Sequence, residues 1–379
     1  MNDVVTEIAD LLRRGRLTAV LARSEKINSP MLAILRARAF IVLGYAASSD
    51  RADGTAMSIL SKLERDPDGD VALLAQIELL HARYVAAMMG DGRAPSIAEA
   101  IALGARAGER PGVQTAVRFL AGYLAGQLAI RARRFEVGRD ELQKIKKLAE
   151  SKGDGAMLAT AETALGRLSA WQGRAEVAVS CLARAIAYWE SQDNQLMVAH
   201  TRYELGVLRT DRRDWAMAIE ELRKVIATYE ESHVHRGYLD RARQALANAL
   251  IGGKQFAEAG PLLETLRGAK DTYRAAMVQR DLARLNIALA EIATGDEAKT
   301  FLERAHKEWQ TGHALVKDDG PDNFAVLSLR SVEGQLIAAD PIMMKAESAA
   351  VGGDVLARVA ELFSAPSQLA RKPGENEIL

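Results

Sequence analysis

Between Pro111 and Pro261 apolar residues recur at three- and four-residue intervals with no intervening proline, so this stretch can be helical almost throughout. Polar or glycine-containing breaks cut the helical pattern at 66–70, 108–112, 151–155, 191–195, 231–237 and 268–272, a spacing near forty residues. A recurring break at that period predicts an array of repeated units rather than one folded core.

Small residues keep the same period. Gly44, Ala86, Gly126, Gly166, Gly206, Ala247 and Ala288 are separated by 42, 40, 40, 40, 41 and 41 residues. Six of them are followed twelve positions later by Ala56, Ala98, Gly138, Ala178, Ala218 and Ala259. Leu60, Leu142, Leu182, Leu222 and Leu263 stand four residues beyond the second small position. A small residue in each of two antiparallel helices lets their backbones approach, and a leucine beside the crossing fills its flank. The expected unit is therefore a helical hairpin.

The clearest units are Leu165, Gly166, Gly173, Ala178, Leu182, Ala185 and then Leu205, Gly206, Trp215, Ala218, Leu222, Tyr229. This pattern resembles the tetratricopeptide repeat over about residues 3–306, with forty residues per unit in place of thirty-four. The resemblance implies an all-α fold, a right-handed α-solenoid of stacked antiparallel hairpins. Residues 1–312 form the expected array of about eight hairpins. Its first hairpin, 3–27, is degenerate, as a terminal cap facing water would be. Residues 313–364 are expected to supply capping helices at 323–338 and 354–363, and 365–379 a disordered tail.

Composition narrows the function. Fifty basic against fifty acidic residues argues against a partner held by bulk positive charge, whether nucleic acid or anionic membrane. The basic run containing Lys144, Lys146 and Lys147 is interleaved with acids and reads as a solvated helix face. The N-terminus lacks a secretory pattern, and the apolar stretches 39–47 and 119–130 are too short to span a bilayer, so a cytoplasmic protein without membrane insertion is expected. The one cysteine, Cys181, excludes an internal disulfide and reads as a small buried hydrophobe. Phosphate loops, dinucleotide fingerprints and zinc or nucleophile motifs are missing from the sequence. The pairs His233/His235 and His306/His313 lack further ligands, and Asp70 reads as a helix N-cap. No catalysis, metal or cofactor is expected.

In the resembled family the first helix of each hairpin lines a concave groove. The residues carried onto its inward positions are Arg38, Tyr45, Arg83, Tyr123, Gln127, Arg167, His200, Tyr203, Arg241, Gln244 and Asn248. None is acidic, which suits an extended or acidic peptide segment of a partner protein. Two functions follow: a non-enzymatic scaffold or adaptor gripping such a segment, or a ligand- or peptide-responsive regulatory protein whose superhelix changes shape and controls a partner. Trp171, Trp189, Trp215 and Trp309 are expected to serve packing.

Overall fold

The computed structural model describes residues 2–25, 29–46, 56–89, 93–268, 272–317 and 324–339. Among them the chain is all-helical, with seventeen α-helices and no strand, and neighbouring helices pack consecutively. In order these are α1 (Asn2–Arg13), α2 (Leu17–Ser24), α3 (Pro30–Leu43), α4 (Ala56–Ser61), α5 (Gly69–Met89), α6 (Ile97–Arg106), α7 (Gln114–Arg131), α8 (Phe135–Lys152) and α9 (Gly155–Trp171). There follow α10 (Ala175–Ser191), α11 (Gln195–Asp211), α12 (Trp215–Glu231), α13 (Arg236–Gly252), α14 (Phe256–Glu264), α15 (Thr272–Ala290), α16 (Gly295–Leu315) and α17 (Phe324–Ala339).

The forty-residue period has a local cause. Backbone φ turns positive at Arg133 (58°), Gly153 (63°), Gly173 (70°), Asp193 (54°), Arg213 (65°) and His233 (50°), one residue in every twenty. Each left-handed residue ends a helix, and the next amide reaches back to an otherwise unpaired carbonyl. Arg134 N donates to Ala129 O at 2.8 Å, Arg174 N to Ser169 O at 2.8 Å and Asp214 N to Arg209 O at 2.9 Å. Helices of seventeen or eighteen residues joined by such tight turns give twenty residues per helix and forty per hairpin.

The small residues act at the crossings. A Cβ added at Gly126 would stand 2.6 Å from Leu142, at Gly166 2.9 Å from Leu182, and at Gly206 2.8 Å from Leu222. Two positions depart from the expected pattern. Gly44 is the left-handed cap of α3, at φ 87°, and Ala98 is exposed while Ala100 is buried. Likewise the α5 cap is Asp68 rather than Asp70: its carboxylate accepts from Asp70 N at 2.9 Å.

The chain divides into two compact units, Met1–Leu208 with Glu220–Ala242, and Arg209–Ile219 with Arg243–Leu379. In the first unit α3 is apolar nearly all round and is buried on two sides. Ile34, Ala37, Phe40 and Ile41 join the core built from α5 and α7. Leu32, Leu35, Ala39 and Leu43 pack with Leu196, Ala199, Val225, Tyr229, Val234 and Ala242 of the α11–α13 region.

Helices α1–α3 are also tied to later turns of this unit. His235 N donates to Leu43 O at 2.7 Å, Asn194 Nδ2 donates to Arg13 O at 2.7 Å, and Arg16 pairs with Asp193 at 2.5 Å. The row of hairpins in this unit closes on itself along that seam. Helix α5 is long and apolar enough to cross a membrane by length and composition, unlike the stretches 39–47 and 119–130. Here it is an inner helix, and its Glu78 is buried.

In the second unit α15 and α16 form a hairpin on which α17 packs, and Trp309 Nε1 donates to Leu329 O at 3.1 Å. Helix α17 fills the place of the expected capping helix at 323–338. The helix expected at 354–363 and the tail lie outside the described residues.

Candidate functional site

The first unit holds a half-open cavity of about 290 Å³. Six inner helices line it: α3, α5, α7, α9, α11 and the first two turns of α13, with Tyr229 of α12 between the last two. The lining repeats from helix to helix. His81, Tyr84 and Met88 of α5 are followed by Leu120, Tyr123 and Gln127 of α7, then Thr160, Thr163 and Arg167 of α9, then His200 and Tyr203 of α11. Tyr238 and Arg241 of α13 complete the circuit against Ile41 and Val42 of α3.

Five of the chain's eight tyrosines line this one cavity: Tyr84, Tyr123, Tyr203, Tyr229 and Tyr238. Burial holds the phenols of Tyr123, Tyr229 and Tyr238 in the neutral form. It raises the pKa values of Tyr123 and Tyr229 well above the ordinary range and that of Tyr238 to about 12. The wall thus presents rings edged with hydroxyl donors.

His200 lies between the seam and the cavity. Its Nδ1 is 2.7 Å from the Tyr229 hydroxyl, and its ring stands 4.9 Å from that of Tyr238. Burial lowers its pKa to about 4, against a hydrogen bond to the Val42 backbone that favours the charged form. Neutral His200 therefore joins α3 to α12 and α13.

The arginines and carboxylates of the lining are Arg167, Arg241 and Glu204. Arg167 donates to Gln127 Oε1 at 2.5 Å and is ion-paired with Glu204. Burial alone would lower the Arg167 pKa, but the Glu204 carboxylate outweighs it and the cation is held firmly. Arg241 lies over the Tyr203 ring at 5.4 Å. Among the described residues its guanidinium makes no ion pair.

No protein-family model and no curated protein matches this sequence.

Of the eleven residues expected in the groove, six line the cavity: Tyr123, Gln127, Arg167, His200, Tyr203 and Arg241. The other five lie elsewhere. Arg38 is paired with buried Glu78; burial would raise that carboxyl's pKa, but Arg38 and His81 outweigh it and hold it low. Arg83 is paired with Glu99 at 3.0 Å, and Glu99 also completes the Ser96 capping box of α6. The expectation that the inward arginines lack acids is therefore corrected for Arg38, Arg83 and Arg167. Acids from other helices meet all three.

Tyr45 sits on the seam, its hydroxyl 3.3 Å from His233 O. Gln244 and Asn248 belong to the second unit and donate to buried Asp281 at 2.8 and 3.1 Å.

Register explains the misses. The inward columns step by 39 residues from α5 to α7, then by 40 twice, and by 38 from His200 and Tyr203 to Tyr238 and Arg241. A fixed small-residue register therefore selects Arg83 where Tyr84 faces inward, and Gln244 where Arg241 does. The tyrosine column 84, 123, 203 is the signal in the sequence that points to Tyr84.

Cys181 is buried, and burial raises its thiol pKa to about 11, which removes the thiolate a nucleophile needs. His306 and His313 do share a helix face, where each stands 5.6 Å from the ring of Trp309. Trp189 is buried as expected, whereas Trp171 is 44% exposed. In the basic run Lys144 pairs with Glu141 and Lys146 with Glu162.

Proposed function

We propose that this chain is a tetratricopeptide-like array acting without catalysis as a ligand-responsive regulatory protein, whose first unit takes up a low-mass ligand. The observation that carries the reading is the 290 Å³ cavity, which gathers five of the eight tyrosines inside a closed circuit of inner helices. A mostly apolar cavity with a few convergent polar groups is the usual form of a small-molecule site. The seam between α3 and α11–α13 supplies the responsive element. It is held by Leu43, Gly44 and Tyr45 against His233, His235 and Tyr238, so filling the cavity beneath it biases whether it stays shut. The right-handed superhelix of the resembled family belongs to the same proposal.

Melting curves in a library of low-mass compounds test it. A ligand of the native state raises the melting temperature by mass action. Thr163→Trp, which fills the cavity, should retain helicity and lose that rise. If no compound moves the wild-type melt while the protein captures a partner protein stoichiometrically, the scaffold reading replaces this one.

A further inference from the structure

Charge around the cavity does not balance. The two arginines of the lining, Arg167 and Arg241, outnumber its one carboxylate, Glu204, which is already engaged by Arg167. Arg241 has the Tyr203 ring beneath it and, among the described residues, no acid in ion-pair contact; Glu204 acts on it only at longer range while paired with Arg167. A partly buried guanidinium without a paired counter-charge is unfavourable, and its planar fork matches a carboxylate. The rest of the wall is mostly aromatic and aliphatic, with Phe119, Tyr84 and Tyr123 among its members, interrupted by two histidines, Gln127 and three threonines. The volume equals that of roughly ten liquid water molecules, enough for a one- or two-ring compound.

We infer that the ligand is an aromatic monocarboxylate, its acid group held by Arg241 and its ring received among the tyrosines. This rests on the low-mass-ligand reading above and adds the ligand's class. One uncompensated charge selects a monoanion over a dianion. A cationic ligand would meet Arg241 with like charge and find Glu204 occupied.

The test is calorimetric titration of the full chain with 3-phenylpropanoate and 3-(2-naphthyl)propanoate, each beside the primary amide and the amine of the same skeleton. The acids should bind wild type about tenfold or more tighter than the amides, and the amines least, as expected for loss of a charge-assisted pair. Arg241→Gln should bring the acids down to the affinity of the amides and leave the amides unchanged. Arg241→Lys should restore part of the preference, and helicity should be equal in all three proteins. Acids and amides binding wild type equally would overturn the inference and leave the low-mass reading standing. An acid preference that survives Arg241→Gln would overturn the assignment to Arg241. If all six probes fail to bind, the ligand class is wrong, and a null melting screen would remove the low-mass reading as well.

Discussion

Arg167 and Glu204 form an ion pair inside the first unit, one on α9 and the other on α11, so that neighbouring inner helices are tied through the cavity wall. Their side chains are 24% and 12% exposed. Glu204→Gln leaves Arg167 partly buried without its counter-charge and should cost about 1–3 kcal/mol in denaturant melts. Replacing both, as Arg167→Met with Glu204→Leu, should cost less than Glu204→Gln alone, because no charge is then stranded.

Stability should depend on pH through His200. Its folded pKa of about 4 lies below the ordinary histidine value of 6.5, so between those values the unfolded chain binds a proton that the folded chain does not. The resulting stabilisation is fully present above pH 6.5 and is lost as pH falls toward 4, on the order of 3 kcal/mol in all. The rings of Tyr229 and Tyr238 face His200, and Arg241, Arg167 and Glu204 act on its charge. Burial moves both phenols upward, away from this window, and the two arginines stay charged throughout it. Melting temperature against pH for wild type and His200→Gln, which share Glu204, isolates the histidine. The wild-type curve should fall more steeply between pH 6.5 and 4 than that of the variant.

The crossing glycines should be intolerant. Gly166→Ala places a methyl 2.9 Å from Leu182 Cγ and 3.3 Å from the Ala178 carbonyl, so the two helices must separate. A loss of about 1–3 kcal/mol is expected. Gly268 has open space within 4 Å of where a methyl would sit and no left-handed φ, so it should accept alanine with little change. Chemical denaturation of both variants makes the comparison.

Asp281 carries the polar core of the second unit. It is fully buried and accepts from Gln244, Asn248 and Arg280. Asp281→Ala should cost about 3–5 kcal/mol by stranding Arg280, and Gln244→Ala or Asn248→Ala about 1 kcal/mol each. Calorimetry should find probe binding unchanged in the two amide variants, since both residues lie outside the cavity.

The hairpins were legible because they repeat. Gly126, Gly166 and Gly206 each meet the leucine sixteen residues on, a local relation that the forty-residue period exposes. Six of the residues that line the cavity were legible for the same reason. What periodicity does not encode is the seam: Leu43 and His235 are joined across 192 residues, and neither stands out from its neighbours in sequence. The acids opposite Arg38 and Arg167 were hidden likewise. Glu78 and Glu204 lie 40 and 37 residues away on the next inner helix, where only the packed structure reveals which side chains meet.

The claim that the first unit's cavity is a ligand site is tested most directly by solution NMR of the ring-labelled tyrosine protein titrated with 3-(2-naphthyl)propanoate. Tyr84, Tyr123, Tyr203, Tyr229 and Tyr238 should shift together, while Tyr188 on α10 and Tyr273 in the second unit stay fixed. Shifts at Tyr188 or Tyr273 with the five cavity rings unmoved would contradict it.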